Sequence, residues 1–140
     1  MAKRFQFRPP HSLVAQYAPQ VPKGKALDVG SGGGSDSKYL AELGFEVDAV
    51  DAKGQQILTE AENIHVHLER YAKEHHLLVH TYEMDIRDFF RSKRQPYDLI
   101  LAINVLHLFE TDLPTVLASI LDILQPGGVL IASMVTGTVT

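Results

Sequence analysis

Strand-length apolar runs alternating with helix-length amphipathic runs predict an α/β protein built on a doubly wound parallel sheet. Three observations carry that prediction. The run DLILAI (98–103) is apolar nearly throughout, and KALDV (Lys25–Val29) is apolar enough to be buried on both faces, as parallel strands are. Glycines at positions 30, 32, 33 and 34 separate the first such run from an amphipathic stretch. The next strand, residues 45–51, ends in an acid, Asp51.

Residues 1–24 read as an arm. Pro9 and Pro10 prevent an early helix. Ser12 is placed to cap a short helix whose apolar face is Leu13, Val14 and Tyr17, ending before Pro19 and Pro22. The arm either docks on the core or covers its ligand, and the two roles are compatible. The core, residues 25–140, begins with the first strand, Lys25–Val29. Ser35–Leu43 is the first core helix, with Tyr39, Leu40 and Leu43 inward and Gly44 just past its end. A long helix over 55–74 places Ile57, Ala61, Ile64, Leu68, Tyr71 and Ala72 on one face. Residues 77–82 form the third strand, 88–91 a short helical turn, and Tyr97–Ile103 the fourth strand.

Thr111 or Asp112 caps the next helix, with Pro114 in its first turn. Its buried stripe is Val116, Leu117, Ile120, Leu121 and Leu124. Gln125-Pro126-Gly127-Gly128 signals a stop and turn before the fifth strand, 129–135. Right-handed crossovers with a switch point at the first strand give the order 3-2-1-4-5. A ligand then sits above the carboxyl ends of strands 1, 2 and 4.

The glycine loop indicates what kind of ligand. Glycines let the backbone approach a ligand without an intervening Cβ, and the following helix aims its N-terminal N–H groups there. Asp51, at the end of the second strand, is placed to accept hydrogen bonds from a ribose diol. A dinucleotide fingerprint counted from Gly30 and Gly32 needs glycine at position 35, where the chain has Ser35. The chain instead carries D-x-G-x-G-x-G through Asp28, Gly30, Gly32 and Gly34. An acid beneath the loop suits a ligand with an ammonium and a sulfonium, and repels a diphosphate.

With those residues identified, the chain resembles the class I S-adenosylmethionine (SAM)-dependent methyltransferases along nearly its whole length. Within that class it is most similar to the tellurite-resistance methyltransferase group. The phrases that carry the resemblance are HSLV (11–14), ALDVGSGGGSDSKYLAELGFEVDAVD (26–51), YDLILAINVLHLF (97–109) and LQPGGVLIASM (124–134). The resemblance implies a Rossmann-like fold, SAM as cofactor with S-adenosylhomocysteine as product, and a small-molecule methyl acceptor. In the tellurite group that acceptor is an oxyanion of tellurium or selenium.

It also implies residue roles. Asp28, Val29 and the loop with Gly30, Gly32 and Gly34 would hold the methionine moiety. Asp51 would bind the ribose hydroxyls, with Ala52 and Lys53 lining the adenosine. Asp85 would accept from the adenine amino group while Ile86 packs against the ring. Ile103 and Asn104 would face the methyl side. The class normally adds a sixth and seventh strand as an antiparallel hairpin beside the fifth, and this sequence carries no such hairpin. The alternative to an enzyme is therefore a SAM-binding module or an enzyme fragment without independent catalysis. The fifth strand is left as an apolar edge, expected to be covered by a homodimer or another association there.

Composition narrows the classes further. The chain has 140 residues, the size of one domain. No apolar run approaches the ~20 residues of a membrane span, and residues 1–10 lack a signal-peptide apolar core. Without cysteine there is neither a disulfide nor a thiolate nucleophile, and a cytoplasmic location is the expectation. A net charge of −4 argues against a nucleic-acid footprint, so Lys3, Arg4 and Arg8 read as a solvated arm. Methyl transfer from a sulfonium needs alignment more than acid–base help. For a neutral acceptor, the candidate catalytic residues are His107, as base, and Asn104. His65 and His67 lie two apart on a helix and diverge, and together with His75, His76 and His80 they are expected to form no metal site.

Overall fold

The computed structural model of the chain describes residues 5–52, 65–92, 96–109 and 111–134. Helix α1 (Ser12–Tyr17) and a 3-10 turn (Ala18–Gln20) lead into strand β1 (Lys25–Val29). Helix α2 (Ser35–Leu43), strand β2 (Glu46–Asp51), helix α3 (Val66–Glu74) and strand β3 (Val79–Glu83) follow. Next come helix α4 (Ile86–Ser92), strand β4 (Tyr97–Ile103), a 3-10 helix (Leu106–Phe109), helix α5 (Leu113–Asp122) and strand β5 (Leu124–Ser133). The described strands form one parallel sheet in the order β3-β2-β1-β4-β5, as the sequence predicts.

Strand periodicity divides the core between the two faces of the sheet. Leu27 and Val29 of β1 and Ile100 and Ala102 of β4 point to the face covered by α4 and α5, where Phe89, Val116 and Ile120 meet them. Ala26 of β1 and Leu99 and Leu101 of β4 point the other way, onto Val14 of α1 and Leu40 of α2. Two polar groups are buried with the first cluster. The Tyr97 hydroxyl donates to Asp48 Oδ2 at 2.5 Å across the sheet, and both residues are buried. Deleting that hydroxyl would take a donor from a buried carboxylate, a loss that costs about 1–3 kcal/mol.

Several elements depart from the sequence reading. Helix α1 is capped by His11, whose Nδ1 accepts from the Leu13 N–H at 3.1 Å, and not by Ser12. Its Tyr17 is exposed while Val14 is buried, since a helix of six residues turns only a narrow stripe inward. Leu121, expected in the buried stripe of α5, is 59% exposed, and Ile123 takes the inward place instead. Residues 125–128 do not end the element before β5. They lie within it as an irregularity between the Tyr97–Leu124 and Leu99–Val129 pairs, with Gly127 at φ +82°. The turn at 88–91 is part of a full helix, and β3 lies at Val79–Glu83, displaced from 77–82. Ile57, Ala61 and Ile64 of the expected long helix lie outside the described residues, whereas Leu68 and Ala72 are buried as expected.

The arm docks on the start of α2, next to the glycine loop. The Arg8 N–H donates to Ser35 Oγ at 3.0 Å, and the His11 N–H donates to Asp36 Oδ1 at 2.9 Å. The Phe5 ring stacks on His67 with 4.0 Å between centroids. It also lies within van der Waals reach of the space above Gly33.

Candidate functional site

The site is built where β1, β2 and β4 end. The N–H groups of Gly30 and Ser31 donate to Val50 O at 2.8 and 3.0 Å, which folds the loop back over β2. The Gly32 N–H then donates to Asp51 Oδ2 at 2.6 Å. Asp51 Oδ2 thus orders the loop, while the half-buried residue itself lies at the edge of the space beside it. Gly30 has φ +72°, and a Cβ there would come within 2.7 Å of Val105 Cγ2. Gly34, at φ +94°, leaves no room for a Cβ beside Leu68 of α3. Both positions therefore require glycine on backbone and on steric grounds.

Beside the loop lies a cleft with a cavity volume of about 160 Å³. Val29, Val50 and Val105 form its apolar floor, with Met84, Ile86 and Phe109 at the side. Asp51, Ala52, Asp85 and Arg87 bring the polar groups. Asp85 stands before α4, and its Oδ1 accepts from the Arg87 N–H at 2.8 Å. It thus orders the start of the helix while also lining the cleft.

The structure brings Val29, Gly30, Asp51, Ala52, Asp85 and Ile86 together around this cleft. It does not bring Asp28 there. Asp28 alternates with Leu27 and Val29, so its side chain leaves the sheet on the α1–α2 face, away from the cleft floor. It is 3% exposed, and Ser37 Oγ donates to its Oδ2 at 2.7 Å. Asp28 therefore braces α2 under the loop. Burial pushes this carboxyl up to about 7, only partly offset by the Ser37 hydrogen bond.

A carboxyl that holds its proton more tightly folded than unfolded contributes less stability as pH rises from about 4 to about 7. Asp28→Asn keeps an acceptor for Ser37 and removes the buried charge. It is expected to raise the melting temperature relative to the unsubstituted protein at pH 8 and to change it little at pH 5. Thermal unfolding at the two pH values checks this, and equal shifts at both would contradict it.

Ile103 packs with the core of the α1–α2 face and does not line the cleft. Asn104 is exposed at the end of β4 with φ +53°, and its Oδ1 accepts from Ser133 Oγ at 2.9 Å. His107 lies on the 3-10 helix after β4, with Nδ1 buried and without a hydrogen-bond partner among the described residues. Lys53 lies outside the described residues.

Two contacts have no counterpart in the sequence reading. Ser31 Oγ meets buried His65 Nε2 at 2.8 Å, which ties the glycine loop to the start of α3. Burial holds that imidazole below its usual range. The second is Arg87, which bonds to both Asp85 and Asp112. No spacing rule pairs residues 87 and 112. Among the described residues no group of three His, Cys, Asp or Glu gathers as a metal cluster, and no helix is long and apolar enough to cross a membrane.

A 3-2-1-4-5 parallel sheet with a glycine loop and a second-strand acid flanking an open cleft defines a Rossmann-like nucleotide-cofactor domain. The chain belongs to a methyltransferase family, because the profile described as "Methyltransferase domain" matches residues 27–130. Among curated proteins it is similar to the ubiquinone biosynthesis O-methyltransferase of Rickettsia akari (strain Hartford). That match is 28% identical over 126 residues, covering 90% of this chain and 46% of that one. The enzyme of the same name from Caulobacter sp. (strain K31) is 30% identical over 114 residues, 81% of this chain and 42% of that one. The chain thus spans less than half the length of these relatives.

Among solved structures, TehB from Haemophilus influenzae superposes with TM-score 0.71 at 25% identity, covering 87% of this chain and 40% of TehB. The 1,6-didemethyltoxoflavin-N1-methyltransferase of Burkholderia thailandensis, solved with 1,6-didemethyltoxoflavin and S-adenosylhomocysteine, shares the fold. Its TM-score is 0.67 at 23% identity, over 86% of this chain and 49% of that one.

Proposed function

We propose that the protein is a cytoplasmic SAM-dependent methyltransferase acting on a small molecule, with residues 25–140 as the SAM-binding core and residues 1–24 as a docked arm. The observation that carries this reading is the double position of Asp51: its Oδ2 holds the Gly32 N–H, and the same residue lines the cleft beside the glycine loop. The residues present fit the cofactor. Gly30, where no side chain can stand, lets the backbone come close to the ligand. Val29, Val50, Met84 and Ile86 offer apolar contact to a base, and Asp85 offers it an acceptor. Ser35 is buried and bonded to the arm at the position where a dinucleotide site needs a third glycine, which disfavours NAD.

When bound, the cofactor supplies an electrophilic methyl group on a sulfonium. This chain's residues bind, orient and exclude water: Asp51 at the ribose, Asp85 and Ile86 at the base, and the glycine loop at the amino-acid end, with Lys53 beside the adenosine. Asn104, exposed at the end of β4, is the residue we assign to the methyl side, since Ile103 packs into the core instead. An ionised acceptor, such as an oxyanion of tellurium or selenium, needs no base. A neutral hydroxyl, the acceptor type named for the O-methyltransferase relatives, would draw on His107, whose buried Nδ1 is unpartnered among the described residues.

Calorimetric titration with SAM and S-adenosylhomocysteine, with NAD as control, tests the cofactor. Transfer of labelled methyl to tellurite, selenite and a simple phenol tests the acceptor. Micromolar binding of the first two ligands without NAD binding supports the reading, and NAD binding alone sinks it.

A second reading is a SAM-binding unit without independent catalysis, favoured by the short span relative to the curated relatives. Binding without transfer to any acceptor would select it. In either reading the β5 edge, with no neighbour beyond β4 among the described residues, is covered by a second copy. Light scattering is expected to give a dimer at high protein concentration, and a clean monomer there would refute the pairing.

A further inference from the structure

Arg87 stands between two cavities. It lines the cleft, and it also lines a groove of about 350 Å³ between α4 and α5, floored by Phe90, Val116 and Ile123. Its guanidinium makes a two-pronged contact with Asp112, Nε to Oδ2 at 2.6 Å and Nη2 to Oδ1 at 2.9 Å. It lies 4.8 Å from the centre of the Phe109 ring, and Nη1 reaches Asp85 Oδ2 at 3.3 Å. These partners come from three segments: the connection after β3, the 3-10 helix after β4, and the residue that precedes α5. A planar fork held by carboxylates on two sides and lying over a ring forms a wall between the two spaces. The side chain is 38% exposed, so it fills a boundary and not the core.

We propose that Arg87 is a specificity-determining partition at the base end of the cleft, setting how large a substituent is tolerated on the exocyclic amine of the cofactor's purine. The inference rests on the SAM reading and on Asp85 as the acceptor for that amine. A donor bonded to Asp85 lies beside the carboxylate oxygens that Arg87 Nη1 also contacts. A substituent carried on it therefore runs into the guanidinium and Asp112. Behind that pair lies the α4–α5 groove. Without the guanidinium the two spaces join, and a group the size of a benzyl ring gains somewhere to go.

The test is direct binding of S-adenosylhomocysteine and its N6-benzyl derivative to the unsubstituted protein, Arg87→Ala and Asp112→Ala. The readout is the ratio of the two affinities, which a merely structural role would leave unchanged because both ligands would weaken together. The unsubstituted protein is expected to prefer the parent compound by at least about fiftyfold, and Arg87→Ala to narrow that preference to about fivefold or less. Asp112→Ala frees the guanidinium from α5 without removing a side-chain helix cap, since Asp112 makes no such bond. It is expected to narrow the ratio partway, and it serves if Arg87→Ala fails to fold.

A ratio unchanged in a folded variant that still binds the parent compound overturns the partition and leaves the cofactor reading intact. An unsubstituted protein that binds both ligands equally does the same. Failure of the unsubstituted protein to bind either compound removes the cofactor reading, and the partition with it.

Discussion

Asp51→Ala is expected to weaken S-adenosylhomocysteine binding about a hundredfold or more. Two losses combine in this one substitution. The first is a charged acceptor for the ribose diol, an interaction worth about 1.5–3 kcal/mol. The second is the partner of the Gly32 N–H, now held at 2.6 Å, without which the loop has one anchor fewer over β2. Their sum, near 3 kcal/mol, corresponds to about two orders of magnitude in affinity. Asp51→Asn retains one carbonyl oxygen, which can serve the loop or the diol but not both as an anion does. It is expected to fall in between, at roughly tenfold. Calorimetry on folded variants decides the matter. If Asp51→Ala binds within about threefold of the unsubstituted protein, Asp51 organises the loop and does not touch the cofactor.

The sheet order is legible in the sequence because three independent signals agree: apolar strands covered on both faces, helix-period stripes between them, and a glycine cluster at the switch point. What the sequence misplaces follows from period and local competition. Asp28 and Val29 are adjacent in a strand, so their side chains leave on opposite faces of the sheet: Val29 lines the cleft, and Asp28 is held by Ser37 under the loop. The same alternation sends Ile103 to the face opposite Ala102. Serine caps helices well, which favours Ser12, but a histidine one residue earlier reaches the free N–H first. Residues 125–128 have turn composition, yet parallel pairing with β4 continues on both sides of them, so tertiary pairing overrides the local preference. Arg87 is hidden for a different reason. Its charge looks like a solvated helix face until Asp112 is brought beside it by the packing of α4 against α5, which no local pattern encodes.

Gly30→Ala is expected to cost about 2–4 kcal/mol of stability, a large share of what a domain of this size has. A left-handed backbone at φ +72° accounts for about 1–2 kcal/mol with any L side chain. The remainder comes from Val105, whose Cγ2 would lie 2.7 Å from the new Cβ. Val105 is 7% exposed and is packed among the core residues of the α4–α5 face, so it cannot simply swing aside. It would be pushed toward the cleft it floors, and ligand affinity should fall along with stability. A double-mutant cycle separates the two costs. In Gly30→Ala/Val105→Ala the clash is gone while the backbone strain persists, so the pair should be less destabilised than the sum of the singles by about 1 kcal/mol or more. Denaturant unfolding of the four proteins measures that coupling. Additivity within about 0.5 kcal/mol would mean that the glycine is required by its backbone conformation alone. The close approach of β4's following loop to the glycine loop, on which the shape of the cleft depends, would then need another explanation.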